Sequence, residues 1–193
     1  YLARLGISHV YASPILKARP GSMHGYDVVD HSQLNPELGS REDFDRLVRT
    51  LHEHGLGLIV DIVPNHLGVM GDDNERWLDV LENGPAARFA CHFDIDWRPV
   101  KRELANRVLL PILGEQYGES LESGKLKLEY SEGSFHFRYY QNVFPVGPKT
   151  EIPVLELHLD ELQARLGENS EELVEFQSIL TALQHLPPQT ATD

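Results

Sequence analysis

Two short polar clusters carry the residue types from which a ligand site is built. Met23-His24-Gly25-Tyr26-Asp27 gathers an imidazole, a phenol ring and a carboxylate around a glycine. Asp61-Ile-Val-Pro-Asn65-His66 sets a carboxylate in an apolar run, with an amide and a second imidazole just beyond it. A carboxylate in a buried strand is costly unless a cation or several hydrogen-bond donors meet it. Blander readings exist for each cluster taken alone. His-Gly-Tyr suits a turn that carries a surface aromatic, and Asn65-His66 suits a cap on the next segment. What sets the pair apart is position, because both fall at the carboxyl ends of what read as adjacent parallel strands, where ligands meet α/β sheets and barrels.

The elements that must position these clusters follow from the apolar pattern. Ile7-Ser-His-Val-Tyr-Ala-Ser13 is a short β-prone run closed by Pro14. Ser40-Arg-Glu-Asp43 is a capping box, followed by Phe44, Leu47, Val48 and Leu51 at helical spacing until Gly55. Residues 56–63 are nearly continuous in apolar side chains, as a parallel strand covered on both faces would be. Strand, helix and strand make one βαβ unit. The connection over residues 14–39 is long enough to predict a functional loop.

Residues 67–155 read as an inserted subdomain. It has an amphipathic helix near 74–81, a break at Asn83-Gly-Pro85, and a hairpin pairing 125–130 with 135–140 across Glu132-Gly133. Helices are expected at 156–166 and 171–186. Ser170 caps the second, and Leu173, Phe176, Ile179, Leu180 and Leu183 form its stripe. The sequence thus divides at 66/67 and 155/156, and residues 156–193 end in a polar, mobile tail after Pro187-Pro188.

Charge and composition narrow the partners. The 193 residues hold 17 Lys and Arg against 30 Asp and Glu, a formal charge of −13. Such a surface repels phosphate backbones and anionic lipid, so neither nucleic acid nor a membrane is expected as a partner. No apolar run reaches the length of a membrane span and no leader peptide is legible, so the expected compartment is the cytoplasm. Cys91 is the single cysteine, which excludes an internal disulfide and a cysteine-based zinc site; no metal and no cofactor is expected. Tyr1-Leu-Ala-Arg-Leu5-Gly6 reads as the end of a helix without its start, so a larger parent chain is expected, continuing past residue 193.

Asp61-Ile-Val-Pro-Asn65-His66 resembles the first signature region of the α-amylase superfamily of (β/α)8 barrel glycosidases and transglycosidases, and Gly25-Tyr26-Asp27 resembles its upstream loop. Longer strings resemble one branch, the maltooligosyltrehalose synthases. They are Gly21-Ser-Met-His24-Gly-Tyr-Asp27-Val-Val-Asp30-His31, Trp77-Leu-Asp-Val-Leu-Glu-Asn-Gly-Pro85, Phe93-Asp-Ile-Asp-Trp97 and Leu109-Leu-Pro-Ile-Leu-Gly114. The resemblance implies an α/β fold: strands two and three of a partial (β/α)8 TIM barrel with their helices, plus an α+β subdomain inserted after strand three. It also implies a maltooligosaccharide substrate, whose reducing-end α-1,4 linkage becomes α,α-1,1. Other α-glucan hydrolases or transglycosidases of the superfamily share the first region, and a non-catalytic carbohydrate-binding module is a further alternative.

By the same resemblance, Tyr26 is similar to the tyrosine that stacks on the sugar beside the scissile bond. His24 and His66 resemble the histidines that bond its hydroxyls. Asp27 and Asn65 fall in the substrate-binding set, and Asp61 resembles the aspartate that supports the site by anchoring an arginine. Asn65 also matches a calcium-ligating position of many α-amylases, although the synthase branch does not require that ion. An aromatic face suits the C–H face of a glucose while polar groups meet its rim. The family's nucleophile lies in a Gly-x-Arg-x-Asp string at the end of the fourth barrel strand. No such string is read in this sequence: Arg88, Arg98, Arg102, Arg107, Arg138 and Arg165 all lack an aspartate two residues on in that setting. The nucleophile and the acid/base are therefore expected beyond the last helix, and these residues by themselves are expected to be inactive.

Overall fold

A computed structural model describes residues 1–167, 170–187 and 189. The chain separates into two compact units, Tyr1–Asn74 and Glu75–Asp193. The polar tail read as mobile lies largely outside the described residues.

In the first unit, a 3-10 turn over Ala3–Leu5 is stopped by Gly6 at φ 84°. Strand β1 (His9–Ala12) follows. The long connection after it is not an irregular loop. It contains β2 (Leu16–Ala18) and β3 (Val28–Leu34), an antiparallel pair whose register shifts twice around Lys17. Val28 and Val29, the start of β3, are both fully buried, so the strand lacks the alternation that announces a half-buried strand.

Helix α1 (Arg41–Glu53) begins with the capping box in full. Ser40 Oγ accepts from the Asp43 N–H and the Asp43 carboxylate accepts from the Ser40 N–H. Leu51 is buried beneath it, and the chain turns at Gly55 into β4 (Gly57–Val60). Strands β1 and β4 pair in parallel, with His9 opposite Gly57 and Ala12 opposite Val60. Strand β4 is shorter than its apolar run, and Ile59 is half exposed. Asp61 therefore does not interrupt the strand but lies one residue past its end. Residues 67–74 belong with this unit: the Gly68 N–H donates to the Val28 carbonyl at 2.7 Å, and the Asn74 amide donates to the Gly68 carbonyl at 2.8 Å.

The second unit opens with α2 (Glu75–Asn83), whose Trp77 and Val80 are buried with Ala87. Phe93, Ile95, Trp97, Val108 and Leu110 pack on this cluster, and the Trp77 and Phe93 ring centres are 5.0 Å apart. The long family-like strings of this region are thus core formers.

Helix α3 (Tyr117–Glu122) leads to β5 (Leu126–Ser131), β6 (Ser134–Tyr139) and β7 (Asn142–Pro145), an antiparallel sheet in that order. Glu132 and Gly133 both take positive φ, 52° and 85°, the backbone a two-residue hairpin loop of matching twist requires. Helix α4 (Pro148–Leu155) was hidden by its prolines: Pro148 sits in the first turn, where no N–H is needed, but Pro153 lies within. Helices α5 (Leu159–Leu166) and α6 (Glu171–His185) follow, with Ser170 Oγ capping α6. On α6, Leu173 and Leu180 are buried and Phe176 and Leu183 partly so, while Ile179 stands off the stripe. No described helix is long and apolar enough to cross a membrane.

Candidate functional site

The residues between β2 and β3 form a hairpin tip, closed where the Arg19 N–H donates to the Asp27 carbonyl at 3.1 Å. Inside it Gly25 is buried at φ 77°, and a Cβ there would lie 2.6 Å from the Pro14 carbonyl oxygen. Only glycine fits both demands. The tight turn drives the next residue, Tyr26, toward the end of β4. Its N–H donates to His24 Nδ1 at 3.0 Å, its carbonyl accepts from His66 Nε2 at 3.0 Å, and its phenol donates to Asp61 Oδ2 at 2.7 Å. With backbone and phenol both held, the 41 % exposed Tyr26 keeps its ring accessible.

Tyr11, a residue absent from the sequence-derived site, donates to the same Asp61 oxygen at 2.5 Å. The sequence held a signal for it. With β1 and β4 parallel and Tyr11 opposite Ile59, the two-residue period places Tyr11, Ile59 and Asp61 on one face. Asp61 is half-buried and satisfied by two phenols, not by an arginine among the described residues. The Tyr11 and then the Tyr26 hydrogen bond hold the Asp61 carboxyl below the usual carboxylate range. Reciprocally, the bond to Asp61 is the main cause that pushes Tyr11 up to about 12 and raises Tyr26.

The structure therefore brings His24, Tyr26, Asp61 and His66 together at the carboxyl end of β1 and β4. The histidines are placed differently from one another. His24 Nδ1 is engaged by the Tyr26 N–H and lies 3.8 Å from Asp27 Oδ1, with a side chain 61 % exposed. Both His66 nitrogens are taken, Nε2 by the Tyr26 carbonyl and Nδ1 by the Asn65 side-chain amide at 3.1 Å. His66 thus braces the Tyr26 backbone. Asp27 accepts from the Ser22 hydroxyl and stays within the hairpin tip. His31 adds a staple from β3, its Nε2 donating to the Val63 carbonyl at 2.8 Å.

Among the described residues no three His, Cys, Asp or Glu side chains gather as a metal site. His52-Glu-His54, a metal-like spacing, closes α1 instead, with His54 Nδ1 donating to the Thr50 carbonyl at 2.9 Å. The spelling Gly-x-Arg-x-Asp does occur once, at Gly39-Ser-Arg41-Glu-Asp43, which corrects the sequence reading. It is not a strand-end nucleophile. Asp43 Oδ2 accepts from the Ser40 N–H and hydroxyl, and Oδ1 accepts from Arg46 at 2.6 Å.

Comparison with known proteins places this geometry. The model of the α-amylase catalytic domain matches residues 1–120. A Mycobacterium tuberculosis protein assigned as a maltooligosyl trehalose synthase is 44 % identical over 144 residues, 69 % of this chain and 18 % of that protein. The solved maltooligosyltrehalose synthase of Arthrobacter ramosus matches with a TM-score of 0.66 at 41 % identity, over 76 % of this chain and 18 % of its own. The solved DSM5389 glycosyltrehalose synthase matches with a TM-score of 0.68 at 30 % identity, over 100 % of this chain and 25 % of its own. The chain thus spans 18 % to 25 % of the length of these relatives, and its α/β fold is part of a TIM barrel. With more than half its residues matched by that model and its polar clusters at the strand ends, the chain belongs to the family of α-amylase catalytic domains.

Proposed function

We propose that these residues form the substrate side of a cytoplasmic maltooligosyltrehalose synthase, a (1→4)-α-D-glucan 1-α-D-glucosylmutase. The observation that carries this reading is the reach of the likeness. It extends over 144 residues, more than the Tyr1–Asn74 unit that holds the polar clusters, and so takes in the Trp77 core that the first signature region does not require.

In the reaction, the α-1,4 bond before the reducing-end glucose breaks as a covalent glycosyl intermediate forms. The freed glucose stays bound and turns, and its anomeric hydroxyl attacks in place of water to give the α,α-1,1 linkage. Tyr26 supplies the platform: its ring lies along the apolar face of the sugar beside the bond being cut. Asp61 fixes that ring through the phenol, and His66, set by Asn65, fixes its backbone. His24 and Asp27 offer polar edges to the sugar hydroxyls. Water must be kept out while the glucose turns.

The direction of change in reducing ends tests the reading. Protein containing these residues, incubated with maltopentaose, is expected to consume reducing ends without shortening the chain. A net gain of reducing ends would mark a hydrolase instead.

A further inference from the structure

Asp61 is tied to β1 twice. Its N–H donates to the Ala12 carbonyl at 3.0 Å, and its Oδ2 accepts from the Tyr11 phenol of the neighbouring residue. An ionised carboxylate only accepts, so both phenols must donate, and both aim at one oxygen. Tyr26 sits on a hairpin tip, whereas Tyr11 sits inside a strand paired residue by residue with β4. A donor on a rigid strand can lend its precision to a loop side chain that shares its acceptor.

We propose that Tyr11 is a positioning residue, which orients the Asp61 carboxylate from strand β1 and through it holds the Tyr26 ring in place for the sugar. The proposal rests on Tyr26 being the glucose platform.

Three variants of the chain test it: Tyr11→Phe, Asp61→Asn and the two combined. The readouts are the titration of the Tyr26 phenol, followed by NMR with ring-labelled tyrosine and identified with Tyr26→Phe, and the Kd for maltopentaose. The bond to Asp61 is the main cause that raises Tyr26, so the loosening of Asp61 in Tyr11→Phe is expected to let the Tyr26 titration fall back toward its ordinary 10.0. The Kd is expected to rise about tenfold in Tyr11→Phe, and adding Tyr11→Phe to Asp61→Asn is expected to cost less than about twofold more.

An unmoved or raised Tyr26 titration in Tyr11→Phe overturns the proposal. So do losses that add in full, which would make Tyr11 act apart from Asp61, and so does loss of the folded spectrum, which would give Tyr11 a role in folding instead. If the unsubstituted chain binds no maltopentaose, the functional reading falls, and the Tyr26 titration alone decides the role of Tyr11.

Discussion

The Tyr26 phenol donates to Asp61 Oδ2 at 2.7 Å across 35 positions of sequence, joining the tip of the β2–β3 hairpin to the end of β4. That bond makes two separate polar clusters into one site. It also gives the aromatic ring a fixed edge, which a stacking platform requires.

The hairpin turn is the first place to test. Gly25→Ala forces a positive φ on a side chain that would also meet the Pro14 carbonyl. The substitution is expected to cost about 1–3 kcal/mol, read as a lower urea midpoint, and to release the Tyr26 phenol from Asp61.

The pH dependence has a defined sign. Asp61 is held below its ordinary range, so its contribution to stability is present above the unfolded carboxylate pKa of about 3.9 and is lost as pH falls through the lower folded value. Tyr11 is raised, so its contribution is full below the unfolded phenol value of 10.0 and is lost as pH rises toward about 12. The difference in urea midpoint between the unsubstituted chain and Tyr11→Phe should stay level at intermediate pH and shrink above about pH 10. A difference that grew with alkali would contradict the assignment.

Asp43 separates spelling from role. Asp43→Ala removes one half of the capping box and the Arg46 contact, and should lower the urea midpoint while leaving maltopentaose binding unchanged. The 193-residue chain is expected to leave the reducing ends of maltopentaose at the buffer rate, with or without Asp43. Turnover abolished by Asp43→Ala would make that residue chemical after all.

In the second unit, Trp77→Ala opens the cluster shared with Phe93, Ile95 and Trp97. A loss of about 3–5 kcal/mol is expected for a buried tryptophan, measured by thermal or urea unfolding. A loss under about 1 kcal/mol would mean that the family-like strings are not there to build the core.

These residues also show what was legible in the sequence. Helix α1 and the β5–β6 hairpin were readable because their signals are local: a cap three residues from its partner, and a turn dipeptide between alternating strands. Strand β3 was not, because Val28 and Val29 are buried together and Asp30-His31 breaks the period. Helix α4 was masked by Pro153. In the site, Tyr26 and Asp61 stood out as types and positions. Tyr11 did not, since its partner is set by strand register and not by spacing along the chain. Two phenols meet Asp61 among the described residues, a pairing of donors that no one-dimensional pattern reveals.

The central claim, that Tyr26 is a platform for the reacting glucose, is tested most directly by Tyr26→Ala in the synthase that contains these residues. The transition state flattens the sugar ring toward an oxocarbenium ion, and a fixed aromatic face both holds that ring and keeps water away. The account predicts a larger fall in kcat than rise in KM, with more free glucose released for each trehalose-ended product. A raised KM with kcat and that product ratio unchanged would make Tyr26 a contact felt equally in ground and transition states, and would contradict it.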